Sequence, residues 1–146
     1  STRPYPSLTP ALCSALQEFT RMRGSLLVSG AYIARDQKQK ENADFLRNTL
    51  KIDAYAPVTL DAYSQATGMY TELNSQHYAV THADCLIPLP EAFSILLYTP
   101  TNYSAAVAYQ GKDYRAITLG FPFECIKYAA DRDKVMGAFL SFLLSR

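Results

Sequence analysis

The sequence predicts a single α/β domain with an antiparallel hairpin near its C-terminus, and three observations carry that expectation. A capped amphipathic segment runs straight into a continuously apolar run. Two runs rich in β-branched, aromatic and apolar residues flank the turn signal Gln110-Gly111-Lys112-Asp113. An apolar-faced segment with acidic residues at its start then closes the chain.

In order along the chain, Thr9 can cap a helix and Pro10 suits its first position, while Leu12, Leu16 and Phe19 make an apolar stripe and Gly24 a stop. A helix from about Pro10 to Arg23 is expected. Ser25-Leu26-Leu27-Val28-Ser29 is apolar on consecutive positions, which reads as a central parallel strand covered on both faces, ended by Gly30. Phe45, Leu46 and Leu50 give one buried face to a second helix near Glu41 to Leu50. From Ile52 to Pro90 the pattern weakens, and Pro57, Gly68, Asn74 and Pro88 break it into short β-like runs at 68–73 and 77–81. Strands are then expected at Ser94–Tyr98, Ala105–Tyr109 and Tyr114–Leu119, the last two forming the hairpin. A final helix follows from about Asp131 to Leu144, with Val135, Met136, Phe139, Leu140 and Leu143 on one broad face.

Size and composition bound the function. A chain of 146 residues, 49% hydrophobic, can bury a core without staples. Its net charge of +1 sets up no field that would gather nucleic acid or anionic lipid. The longest apolar run, Val135 to Leu144, is broken by Ser141 and is far short of the roughly 20 residues that span a bilayer. No nucleic acid partner and no membrane span are therefore expected. The chain begins Ser-Thr-Arg-Pro, without the basic and apolar regions of a signal peptide, so a leader has been removed or the sequence is part of a longer protein.

Between Lys51 and Lys112 there is no Lys or Arg, while Asp53, Asp61, Glu72, Asp84 and Glu91 fall there with seven tyrosines. Such tyrosines suit half-buried sheet positions, and a carbohydrate-stacking surface is the other reading. Cys13, Cys85 and Cys125 show no C-x-x-C spacing, which argues against a structural zinc site and a disulfide framework.

Chemistry-bearing residues are sparse. Only His77 and His82 could serve as imidazole bases. His82-Ala83-Asp84-Cys85 offers a thiol, an imidazole and a carboxylate, or else a strand end with a buried cysteine. A metal site would need His77, His82 and Asp84 to converge, and their spacing fits no helical ligand pair, so no metal and no cofactor are expected. Glu124 and Cys125 follow the last strand, and Ser29-Gly30-Ala31-Tyr32-Ile33 follows the first; strand ends are where open parallel sheets place ligands. Neither G-x-S-x-G nor a phosphate-binding glycine loop occurs, so Ser29 reads as a nucleophile or as part of a tight turn.

Three segments carry a family resemblance: Arg23 to Ile33 with Asp36, Asn102 to Tyr109, and Leu119-Gly120-Phe121-Pro122-Phe123-Glu124. Together they resemble the C-terminal domain of bacterial xanthan-lyase-like proteins found beside golvesin-type modules, and through it the class I glutamine-amidotransferase-like superfamily. That resemblance implies a flavodoxin-like three-layer sandwich with a mostly parallel sheet and an antiparallel C-terminal hairpin. It also implies a secreted or periplasmic location. Active members carry a cysteine in the elbow after a central strand and a His-x-Glu pair late in the chain. Here the elbow has no cysteine, and Pro122 stands where the histidine belongs, leaving Glu124 for the glutamate.

Two functions follow as expectations. One is a non-catalytic or accessory domain of a polysaccharide-associated protein, binding a glycan or packing on neighbouring domains. The other is a hydrolase or lyase acting on carbohydrate or cell-wall material, with Glu124, Ser29, Asp36 and Tyr32 at the strand ends. Because such a sheet usually has strands before the first helix seen here, an unpaired edge and a homodimer are also expected.

Overall fold

The computed structural model describes residues 8–30, 33–34, 40–54, 70–73, 76–79, 83–98, 103–126 and 128–145, with backbone alone at 40–41, 70–73 and 76–79. Helix α1 (Pro10–Arg21) starts as its sequence dictates: Thr9 is extended, and its Oγ1 accepts the Leu12 N–H at 3.1 Å. The stripe expected to face the core is rotated, however. Cys13 and Thr20 are buried, whereas Leu12 and Phe19 are exposed.

Strand β1 (Leu26–Ser29) follows, and α2 (Lys40–Phe45) runs into a π-helical turn at Leu46–Leu50 closed by Lys51 in the left-handed conformation (φ 61°). Among its described residues, the region read as irregular holds four short strands, β2 (Ile52–Ala54), β3 (Tyr70–Leu73), β4 (Gln76–Ala79) and β5 (Leu86–Pro88). The two short runs singled out there, 68–73 and 77–81, overlap β3 and β4, which pair antiparallel as a separate two-stranded ribbon. Strands β6 (Ala92–Leu97), β7 (Ser104–Gln110) and β8 (Arg115–Leu119) complete the main sheet, and α3 (Ala129–Leu144) closes the chain.

The main sheet runs in the order β1-β8-β7-β5-β2, with β6 also on β7, and curls into a half-barrel. Its strands correct the expected flavodoxin-like sandwich with a mostly parallel sheet. Only β1 and β8 pair in parallel among the described residues, while β7 pairs antiparallel with β5, β6 and β8, and β2 with β5. The strand expected at the centre, β1, stands at one end of the order.

The physical reason lies in how burial is distributed. Leu27, Ala106, Ala108, Ile117 and Leu119 pack on one face with Phe139 and Leu143 of α3. Leu26, Val28, Val107 and Ala116 pack on the other with Cys13, Phe45, Leu46 and Leu50. Helices on both faces make a strand apolar at consecutive positions whichever way its neighbours run, so that signal does not report strand direction.

Thr118 of β8 is 1% exposed, and its Oγ1 has no hydrogen-bond partner among the described residues. It falls on the same face of β8 as Ala116, where a methyl group suits the surroundings better than a hydroxyl. Thr118→Val is expected to stabilise the fold by about 1 kcal/mol, read as a higher urea midpoint at unchanged slope. A lower midpoint would show that the hydroxyl is satisfied.

Candidate functional site

Because β1 and β8 are parallel, with Ser29 opposite Leu119, their C-terminal ends open on the same side of the sheet. From Leu119 the chain turns through Gly120, Phe121 and Pro122 into a 3-10 turn, Phe123–Cys125. Ser29 reaches across to that turn: its Oγ accepts the Phe123 N–H at 2.8 Å and donates to the Phe121 carbonyl at 3.3 Å. One hydroxyl therefore clips the end of β1 to the segment after β8.

A second tie lies deeper and runs through Asp84, which is 0% exposed. Its Oδ2 accepts the Ala34 N–H at 2.9 Å, its own N–H donates to the Gly120 carbonyl at 2.6 Å, and its carbonyl accepts the Tyr98 hydroxyl at 2.8 Å. Gly120 in turn donates its N–H to the Ala105 carbonyl at 2.8 Å. Tyr98 also meets Phe121 edge-on, with ring centroids 6.2 Å apart. One buried acidic residue thus joins the turn after β1, the entry to β5, the end of β6 and the turn after β8.

Of the four candidate residues, Ser29 and Glu124 are described. Ser29 bonds the backbone of the residue that precedes Glu124, and Glu124 is exposed on the 3-10 turn. Tyr32 and Asp36 lie outside the described residues, as does His82. His77 sits on β4, opposite Glu72 in the ribbon. Of the His82-Ala83-Asp84-Cys85 cluster, Asp84 serves the tie just described and Cys85 is buried in the core beneath α3. Among the described residues no three His, Cys, Asp or Glu side chains gather as a metal would require.

The sequence marks Asp84 only as a neighbour of His82 and Cys85, and Tyr98 only as a strand residue; neither carries a motif for the tie they make. The available signal was a single carboxylate inside the apolar run Ala83 to Ile87, a place where an acid is retained only with partners.

Cys125 is fully buried, and burial, followed by the neighbouring Glu124 carboxylate, pushes its thiol up to about 12. A thiol that stays protonated at neutral pH is a poor nucleophile. The folded state keeps this proton to about pH 12, whereas an unperturbed thiol loses it near 9.0, so its contribution to stability is present below pH 9 and is lost as pH climbs towards 12. Tyr114, raised from 10.0 to about 12 mainly by burial, acts in the same sense from pH 10 upward. Urea midpoints are expected to fall through this range, less steeply in Cys125→Ala. Alkylation of Cys125 by iodoacetamide at pH 8 is expected only after unfolding.

No known protein family matches its sequence, and no curated protein matches it either. Its fold is similar to that of a solved structure titled "mmIFT52 N-terminal domain". The TM-score is 0.60 at 14% sequence identity, over 95% of this chain and 73% of that one. At that identity the likeness is one of fold.

It also corrects the family resemblance drawn from three segments of sequence. The mixed, curled sheet and its structural neighbour give no support to a xanthan-lyase-like or glutamine-amidotransferase-like domain. The segments behind that resemblance, around β1, β7 and β8, are apolar strands with small-residue turns, a composition that the two-sided burial of this sheet itself demands.

Proposed function

We propose that this chain is a non-catalytic accessory module that packs against neighbouring domains of a larger protein. The observation that carries the reading is the use of Ser29: both of its hydrogen bonds go to backbone groups of its own domain, so the best-placed hydroxyl at the strand ends holds structure. Cys125, the nearby thiol, is buried and protonated. The domain also presents Leu12, Phe19 and Met22 to solvent on one flank of α1, at 42, 49 and 74% exposure, more large apolar surface than a short helix needs to leave uncovered. The similar solved structure is titled as the N-terminal domain of its protein, which supports a modular role.

Amide hydrogen exchange tests this directly, comparing this chain alone with the complete natural polypeptide that carries it. Amides of α1 are expected to exchange at least tenfold more slowly in the complete protein. Equal rates would refute packing on that flank. In parallel, the complete protein and its Glu124→Gln variant are compared for product release from acidic and neutral polysaccharides. No difference is expected, and loss of turnover in the variant would return Glu124 to a hydrolase or lyase mechanism.

A further inference from the structure

Strand β6 (Ala92–Leu97) pairs with β7 alone among the described residues, so along its other edge no described strand meets its backbone N–H and C=O groups. Just past its end, the Tyr98 N–H donates to the Tyr103 carbonyl at 2.8 Å. In an antiparallel ladder the backbone groups of the adjacent Leu97 then point the other way, to the open side. Open edges are usually blunted by lysine, proline or an inward-pointing charge. The run Ala-Phe-Ser-Ile-Leu-Leu has none of these, and Phe93 and Leu97 are 44 and 53% exposed. We propose that a second copy of this chain covers the edge, the two β6 strands pairing antiparallel across a two-fold axis.

Charge selects both the occupant and its direction. An edge without charge gives a charged partner strand nothing to pair with, whereas its own copy matches it in composition. Glu91 stands at the start of β6, and residues 98–104 beyond its end are uncharged. Parallel pairing would set the two Glu91 carboxylates side by side. Antiparallel pairing centred on Ile95 holds them about 27 Å apart, each opposite an uncharged segment. The same axis brings Phe93 of each copy opposite Leu97 of the other, at the ~4.5–5.5 Å Cβ separation of cross-strand pairs.

The strand is prepared for such a contact. Phe142 of α3 meets the Phe93 ring edge-on with centroids 6.2 Å apart, and Arg115 lies 4.9 Å from the centre of the Phe142 ring. A ring already held costs less to order on binding. The polar side chain of the strand is committed within the chain, Ser94 Oγ lying 2.7 Å from Ser104 Oγ. Register shifts against β7 between Ser94 and Leu97 twist the strand and keep the contact short. The interface is therefore small, below roughly 1,200 Å² in total, the range of weak and transient contacts, and a dimer dissociating at roughly 10–100 µM is expected. Helix α1 packs on the other face of the sheet, so this contact and the packing of its flank on neighbouring domains stand or fall separately.

Sedimentation equilibrium of this chain from 1 to 500 µM tests the proposal. The mass is expected to rise towards twice that of one chain. Leu97→Lys and Phe93→Glu should each weaken association at least tenfold. Leu97→Lys should leave the melting temperature of the dilute protein within a few degrees, because its side chain is half in solvent. An equimolar mixture of the two variants should associate again, since the antiparallel register sets lysine 97 of one copy against glutamate 93 of the other. Amide exchange of the unchanged chain needs no variant to fold: the amides of β6 should exchange more slowly at 500 µM than at 1 µM, while those of α1 stay as they are. A single-chain mass throughout, a dimer that survives Leu97→Lys, a mixture that stays monomeric although both variants are folded, or slowing in α1 and not in β6 would overturn the proposal.

Discussion

Gly120→Ala is expected to cost about 3 kcal/mol, which lowers the melting temperature by roughly 10 °C in a domain of this size. A methyl group at Gly120 would overlap the Asp84 carbonyl oxygen and crowd the Tyr98 hydroxyl at 3.1 Å. The first obstacle is backbone, which cannot swing aside as a side chain can. The same two residues are joined by the Asp84 N–H to Gly120 carbonyl bond, and the Asp84 carbonyl also holds Tyr98, so separating them breaks both bonds. Gly111→Ala is the useful contrast. There the three nearest atoms that the added methyl meets all belong to the Tyr109 side chain, which is half-exposed at the hairpin turn and can rotate away. Equal losses in the two variants would show that the close approach at Gly120 is not what limits it.

Asp84→Ala is expected to be as damaging, again about 3 kcal/mol, because it removes the acceptor of a buried N–H and leaves that group unpaired. Hydrogen exchange localises the effect: the Ala34 amide should lose protection well before the amides of β7. Asp84→Asn keeps a carbonyl oxygen for the same bond and should recover part of the loss. Tyr98→Phe removes only the hydroxyl donated to the Asp84 carbonyl, and about 1 kcal/mol is expected. If Asp84→Ala melted like the parent, the tie between the turns after β1 and β8 would have to lie elsewhere.

Local signals in the sequence survived folding well. Thr9 and Pro10 mark the start of α1, and the Gln110 to Asp113 tetrad falls at the turn between β7 and β8. Partner choice along the sheet was not legible. Strands β2 and β5 are three residues each, too short to show alternation, and the apolar run of β1 is the same for a central and an end position. The π-helical turn at Leu46–Leu50 shares the apolar content of an ordinary helix and differs only in its hydrogen bonding. The buried face of α1 is not legible from hydrophobicity, because Leu12 and Phe19 look like core residues while Cys13 and Thr20 are the buried ones. At the strand ends, Ser29 and Glu124 were found by topology, yet nothing in their identity distinguishes a nucleophile from a clip. Asp84 was noticed for its neighbours His82 and Cys85 and proved to matter for Ala34, a residue fifty positions away.

The parallel pairing of β1 with β8 joins segments about 90 residues apart, as the bond between Ser25 and Arg115 also does. During synthesis at roughly 5–20 residues per second, Leu26 to Ser29 therefore leave the ribosome seconds before any strand exists to receive them. Strand β1 is made long before β8 can seat it, and the nascent chain carries an open apolar edge for the whole interval. A chaperone that binds short extended apolar peptides would find its target there, and premature release near residue 110 would leave that edge permanently exposed.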